Sequence, residues 1–279
     1  MRIGIVVQVT DLSIGVVELA RAIEERGFDS LYLPEHTHLP VREAEPAHLV
    51  EGVELNDYRR TLDPYIALAA AAAVTKRIQL GTCVSLVTQH DPIVLAKELA
   101  TLDHLAEGRI VLGFGYGWNR AEMEDHGVEY SQRRRLAREK LLCMAALWSD
   151  EVASFEGEFI NLAPCYSWPK PYRRPKIRTL AGGGAGPTLF RTIAELCDGW
   201  MPIGGAGLST ALAELRRVVE DAGRDPADLD IIPIGTVPNH EKLGHYAQIG
   251  VTEVVLRVPA RGRDEVLRVL DRYVDYLPS

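Results

Sequence analysis

Several classes of protein are excluded by what this chain lacks. Four cysteines among 279 residues, Cys83, Cys143, Cys165 and Cys197, form no CxxC pair. Neither a disulfide framework nor a zinc knuckle is encoded, and the four read as reduced, mostly buried thiols. Long apolar runs are missing too: residues 66–74, the most apolar stretch, fall well short of the ~18 to 20 that a membrane span needs. Residues 1–9 alternate like a strand and carry no signal-peptide pattern, so a cytoplasmic protein is expected. Positive charge is in deficit, with 31 Lys plus Arg against 39 Asp plus Glu and a net charge of -8. Such a chain repels polyanions, and nucleic acid is not an expected partner. What remains, 47% hydrophobic and 25% charged residues, is the composition of a globular protein large enough to bury a core.

The organising pattern is a short β-branched run, a loop and an amphipathic helical stretch, repeated eight times, which is the mark of βα units on a parallel sheet. The runs are residues 3–7, 30–33, 78–84, 110–114, 177–181, 199–203, 231–235 and 253–258. Helices are predicted over 13–25, 63–74, 93–105, 133–148, 188–196, 208–222, 240–249 and 264–276, with Asp63-Pro64 and Asp91-Pro92 as cap-and-first-turn pairs. Residues 152–155 and 159–162, around Gly157, read as a hairpin excursion before the fifth run. Eight units of roughly 30 residues without a long linker favour a closed (β/α)8 barrel over two doubly wound sheets. One domain over residues 1–279 is therefore expected. The longest irregular segment, 35–62, follows the second run, on the barrel face where active sites are built.

Residues with chemistry cluster after the strand runs. AGGGAGPT (181–188) leads from a strand into a helix and offers bare amides and a helix dipole to a phosphate. It is neither a P-loop nor a GxGxxG fingerprint, and tight turns at a helix start are the plain alternative. GFGYG (113–117) strips alternate side chains from a strand tail, which admits a flat ring or, equally, close packing. His36 and His38 form an HxH pair that raises a metal-dependent hydrolase as a rival. That rival lacks further ligands at the other strand ends. Two basic clusters stand out: Arg133, Arg134, Arg135, Arg138 and Lys140; and Lys170, Arg173, Arg174, Lys176 and Arg178. The default for each is a solvated face. The second precedes the glycine run and is expected to lend positive potential to an anionic cofactor tail.

Taken together, GFDSLYLPEH (27–36), RIQLGT (77–82), DPIVLAK (91–97), LDHL (102–105), GRIVLGFGYGW (108–118), WSDE (148–151), FEGEF (155–159), GGG (182–184) and DGW (198–200) resemble the luciferase-like monooxygenase superfamily. The likeness is greatest to its F420-dependent oxidoreductases of actinobacterial type. It implies an α/β TIM barrel holding the deazaflavin F420, or FMN as the alternative, at the C-terminal mouth. The resemblance places the ring over Cys83 and Val84, where such proteins often carry a non-proline cis peptide. Gly115, Gly117 and Trp118 would flank the ring, and Ala181, Gly182, Gly183 and Gly184 would take the phosphate. Glu35 and His36 match an acid-histidine pair that contributes to cofactor binding and catalysis. Trp118 departs from the pattern, standing where sugar-phosphate dehydrogenases of this branch carry a glutamate. The implied function is hydride transfer between F420 and a small or medium organic substrate, with FMN-dependent monooxygenase and a non-catalytic cofactor-binding barrel as alternatives. A homodimer is expected, since dimers are common in the superfamily.

Overall fold

A computed structural model describes residues 1–41, 53–173 and 175–278. Among these residues eleven strands alternate with helices. They are β1 (Arg2–Val7), β2 (Ser30–Leu33), β3 (Gln79–Thr82), β4 (Ile110–Phe114), β5 (Ala153–Glu156), β6 (Asn161–Cys165), β7 (Arg178–Gly182), β8 (Gly199–Met201), β9 (Asp230–Ile231), β10 (Ile234–Thr236) and β11 (Glu253–Val258). The parallel sheet runs β10-β11-β1-β2-β3-β4-β7-β8-β9, and β5 and β6 form the separate antiparallel hairpin. Only Ile232 and Pro233 lie between β9, which pairs with β8, and β10, which pairs with β11. These two pieces are one interrupted barrel strand, so the sheet closes into eight staves.

The helices are α1 (Val16–Glu25), α2 (Leu55–Arg59), α3 (Pro64–Ala72), α4 (Pro92–Leu105), α5 (Arg120–Asp125), α6 (Arg133–Ser149), α7 (Pro187–Leu196), α8 (Leu208–Asp221), α9 (His240–Gln248) and α10 (Arg263–Tyr273). Asp63 accepts from the Ile66 amide, and Asp91 from the amides of Ile93 and Val94, so both Asp-Pro starts act as sequence chemistry dictates. Helix α1 begins later than predicted, after Gly15, because Ser13 turns back to the Thr10 carbonyl instead of capping it. Two short helices, α2 and α5, were not anticipated.

Strand periodicity separates two cores. One parity faces the helical shell through Ile3, Ile5, Leu31, Leu80, Leu112, Ala181 and Leu256. The other fills the barrel with Tyr32, Cys83, Val111, Leu180, Met201, Ile232, Ile234 and Val255. Below this apolar layer the barrel is closed by charge: Arg178 contacts Asp230, Arg2 reaches Asp230 at 3.2 Å and Glu253 at 3.3 Å, and Ser30 hydrogen-bonds Glu253. Burial pushes the Glu253 carboxyl up, against the opposing pull of Arg2 and Ser30. All four thiols are free, and three are buried. Among the described residues no helix is long and apolar enough to cross a membrane.

Candidate active site

The barrel opens at its other end into a cavity of about 380 Å³, within the usual range of small-molecule sites. Its wall includes Glu35, His36, Cys83, Val84, Gly115, Gly117, Trp118, Gly182, Gly183 and Gly184. Thus ten of the eleven positions singled out above meet at one mouth. Ala181 does not line it; its side chain points outward into the shell core, as its parity on β7 requires.

Beyond β3 the chain forms a bulge. The Cys83 amide donates to the Leu33 carbonyl at 2.8 Å, Ser85 exchanges bonds with Gly113 and Gly115 at 2.7 and 2.8 Å, and the Cys83-Val84 peptide is cis. The Val84 side chain projects between the two neighbouring strand tails. A Cβ on Gly115 or Gly182 would come within 2.5 or 2.4 Å of its methyl groups. Those two glycines are thus required by close packing, which for Gly115 was the plain reading of the GFGYG tail. The Cys83 thiol beneath is pushed up to about 12 by burial, so it acts as an apolar wall and not as a nucleophile.

The adjacent residues Glu35 and His36 do not act on each other. Glu35, 3% exposed, accepts from the Leu86 amide at 2.6 Å and from His90 Nε2 at 2.6 Å. It therefore ties β2 to the bulge. Burial lowers the His90 pKa, but the bond and charge of Glu35 outweigh it and leave the imidazole above its ordinary value. His36 turns the other way, with Nδ1 2.8 Å from Glu122 Oε2, and the Thr37 amide donates to Glu122 Oε1 at 3.0 Å. An ionised carboxylate only accepts, so Nδ1 carries the proton and Nε2 is left for the cavity that His36 lines. Edge-on contacts with Tyr58 and Trp118, at ring-centroid distances of 5.2 and 5.7 Å, hold the imidazole.

Glu122 is the functional residue that sequence reasoning missed. It is fully buried on α5, where Asn119 caps the helix by accepting from the Glu122 amide at 3.0 Å. The Asn-x-x-Glu spacing of 119–122 is a capping-box signature and would have placed the helix.

The glycine run enters α7 with open space beside it, since a Cβ at Gly184 or Gly186 would meet nothing within 4 Å. The Gly183 amide is committed to the Met201 carbonyl at 3.3 Å. The amides of Gly184, Ala185, Thr188 and Leu189 donate to no protein group among the described residues. A phosphate-sized anion fits these donors at the positive end of α7.

The basic surroundings differ from expectation. Lys170, Arg173, Lys176 and Arg178 lie at the opposite, N-terminal end of the barrel, where Lys176 pairs with Asp198 at 2.8 Å and Arg178 with Asp230. Residues that precede a parallel strand cannot reach the face that follows it; Arg174 lies outside the described residues. Positive charge at the mouth comes instead from Arg133, Arg134 and Arg257, which line the cavity. Arg135 is paired with Glu158 at 2.6 Å and Arg138 with Glu195, while Lys140 is buried on the carbonyls of Thr88 and His90. The HxH pair does not converge, for His38 Nε2 faces Asp125 at 3.2 Å. Among the described residues no three candidate ligands gather around a metal position.

The profile of the luciferase-like monooxygenase family matches residues 13–241. An uncharacterized protein of Mycobacterium tuberculosis is 41% identical over 276 residues, spanning 98% of this chain and 97% of that one. The F420-dependent glucose-6-phosphate dehydrogenase of Kineococcus radiotolerans is 32% identical over 223 residues, 77% of this chain and 61% of the enzyme. Among solved structures, the monooxygenase RslO1 from Streptomyces bottropensis superposes with a TM-score of 0.80 at 21% identity, over 99% of this chain and 98% of that one. The barrel, the bulge after β3 and these matches agree: the chain is an oxidoreductase or monooxygenase of the luciferase-like monooxygenase family.

Proposed function

We propose that the protein is an F420-dependent oxidoreductase that transfers a hydride between the deazaflavin and a small or medium organic substrate. The observation that carries this reading is the His36–Glu122 pair, aimed into a cavity whose far wall is the amide-rich turn at α7. The F420-dependent relative from Kineococcus supports the choice of carrier, as does the positive charge of Arg133, Arg134 and Arg257 on the cavity wall. Gly184, Ala185 and the first turn of α7 would hold the phosphate, and Gly117, Trp118 and the Cys83–Val84 bulge would border the ring. F420, when bound, supplies a carbon centre that gives or accepts a hydride.

The chain's own work is proton handling and positioning. Glu122 fixes the imidazole tautomer of His36, so that Nε2 takes up the substrate's hydroxyl proton on oxidation and returns it on reduction. The Glu35–His90 pair holds the bulge in register and touches no reacting atom. Purified protein titrated with F420 and with FMN, followed by absorbance, tests the reading; micromolar or tighter F420 binding is expected, and absence of F420 binding refutes it. FMN-dependent monooxygenation is the second reading; RslO1 is a monooxygenase, which accords with that reaction class. A panel of enones and nitro compounds separates an enzyme from a carrier.

A further inference from the structure

Behind His36 lies a hydrogen-bonded path that the reaction above does not use. Glu122 is fully buried and receives the His36 Nδ1 proton on one oxygen. Its other oxygen faces the Thr37 amide at 3.0 Å and the Thr37 hydroxyl at 3.4 Å. The same hydroxyl lies 2.9 Å from His38 Nδ1 and 2.7 Å from His126 Nε2. Thr37, His38 and His126 are all exposed. One further contact sets the direction of these bonds. His38 Nε2 is 3.2 Å from the Asp125 carboxylate, so Nε2 is the protonated nitrogen and Nδ1 accepts from the Thr37 hydroxyl. His126 then donates to the hydroxyl oxygen, and the single hydroxyl proton turns between His38 and Glu122.

We propose that Glu122, Thr37 and His38 form a proton relay that connects the buried side of His36 to solvent, so that a proton taken up at Nε2 is matched by one released from Nδ1 while the cavity stays closed. This rests on the reading of His36 as the proton-exchanging group. In the oxidative direction the substrate's hydroxyl proton goes to His36 Nε2, and the Nδ1 proton passes to Glu122 Oε2. Rotation of the carboxyl group carries the protonated oxygen to the Thr37 side, where the proton is given to Thr37 Oγ1 as the hydroxyl's own proton moves to His38 Nδ1. The His38 imidazolium beside Asp125 releases a proton to water. One proton enters and one leaves, with no change of oxidation state along the path, and His36 is left protonated on Nε2. Its starting tautomer returns when the cavity opens, Nε2 giving its proton to water while the path returns one to Nδ1; reduction runs the path in reverse. Burial and the charge of His38 hold the His126 pKa below its ordinary value, which keeps this second imidazole largely neutral at pH 7. Among the described residues Glu35 and His90 also act on His126 through charge, and Arg120, Glu124 and Asp125 stand on α5; the Thr37 hydroxyl faces Glu122 directly.

The test needs neither cofactor nor substrate. In protein labelled with nitrogen-15 at histidine, the relay requires His36 protonated on Nδ1, and exchange of that proton with water is measured for the wild type, Thr37→Val and Thr37→Ser. Thr37→Val is expected to slow exchange by at least about tenfold, the loss of one hydrogen-bonded link, and Thr37→Ser to restore it. Because Thr37 is exposed, the variant keeps its melting temperature; His38→Gln is the second variant, with the same expected direction. Wild-type exchange in both Thr37→Val and His38→Gln, or a His36 proton resting on Nε2, overturns the relay. Failure of F420 to bind in the separate titration overturns the cofactor reading and leaves this result standing.

Discussion

At the level of single residues, adjacency in sequence and partnership in space part company. Glu35 and His36 looked like one acid-histidine pair, but consecutive residues at a strand end point to opposite sides, and each found a partner more than fifty positions away. Strand-end histidine and glycine were legible because few other roles suit them there. Glu122 was not, since a lone glutamate in a polar stretch carries no periodic signal. His36→Ala is expected to lower kcat by about 100-fold or more while cofactor affinity stays within threefold, the loss of a general acid-base group; unchanged turnover would make His36 a wall residue. Gly184→Asp sets a carboxylate in open space beside the unpaired amides and is expected to weaken cofactor binding by about tenfold or more with little change in melting temperature. Isothermal titration against the wild type reads the difference. Gly183 is the poorer probe, because its φ of +136° would strain any side chain.

Elements were readable in proportion to their length. The longer helices follow from 3.6-residue periodicity and Asp-Pro starts, whereas α2 and α5, of five and six residues, are too short for periodicity to emerge. Asp91 shows how much a single start contributes: Asp91→Ala removes two amide bonds at α4 and is expected to cost about 1 kcal/mol in chemical denaturation. The single 3-10 turn at Val87–Gln89, with His90 just beyond it, carries a pH signature. His90 has a folded pKa above its unfolded value, so the Glu35–His90 pair stabilises fully below about pH 6.5 and this contribution fades as pH rises through the folded pKa. The stability gap between wild type and His90→Gln should therefore be widest near pH 6 and shrink toward pH 9. A gap that grows with pH would contradict the assignment of charge. Lys140 on α6, lowered to about 8 by burial, donates to the Thr88 and His90 carbonyls, so making the same comparison in a Lys140→Met background removes its alkaline titration from the difference.

Across the whole molecule the barrel was legible because eight repeats of one pattern leave few ways to close a sheet. The seventh stave was read as one run; Pro233 lacks the amide that would continue the ladder, and the run is split into β9 and β10. The distribution of charge was misread because sequence proximity to the glycine turn was taken for spatial proximity, though a strand's two ends face opposite sides of the barrel. Arg178 tests the closed end: it joins β7 to Asp230 and to Gln79 at 3.0 Å. Arg178→Met is expected to cost about 3 kcal/mol in urea unfolding, as when one partner of a buried pair is removed. Cofactor affinity should be unchanged, since this contact lies at the far end.

That ionic floor also dictates traffic. A vessel sealed at the base has one doorway, so two molecules that must meet inside it cannot arrive from opposite sides. Whichever sits deeper enters first and is trapped until the other departs. With the carrier proposed above in the deeper place, turnover should follow an ordered sequence in which only the oxidised and reduced forms of the carrier compete with each other.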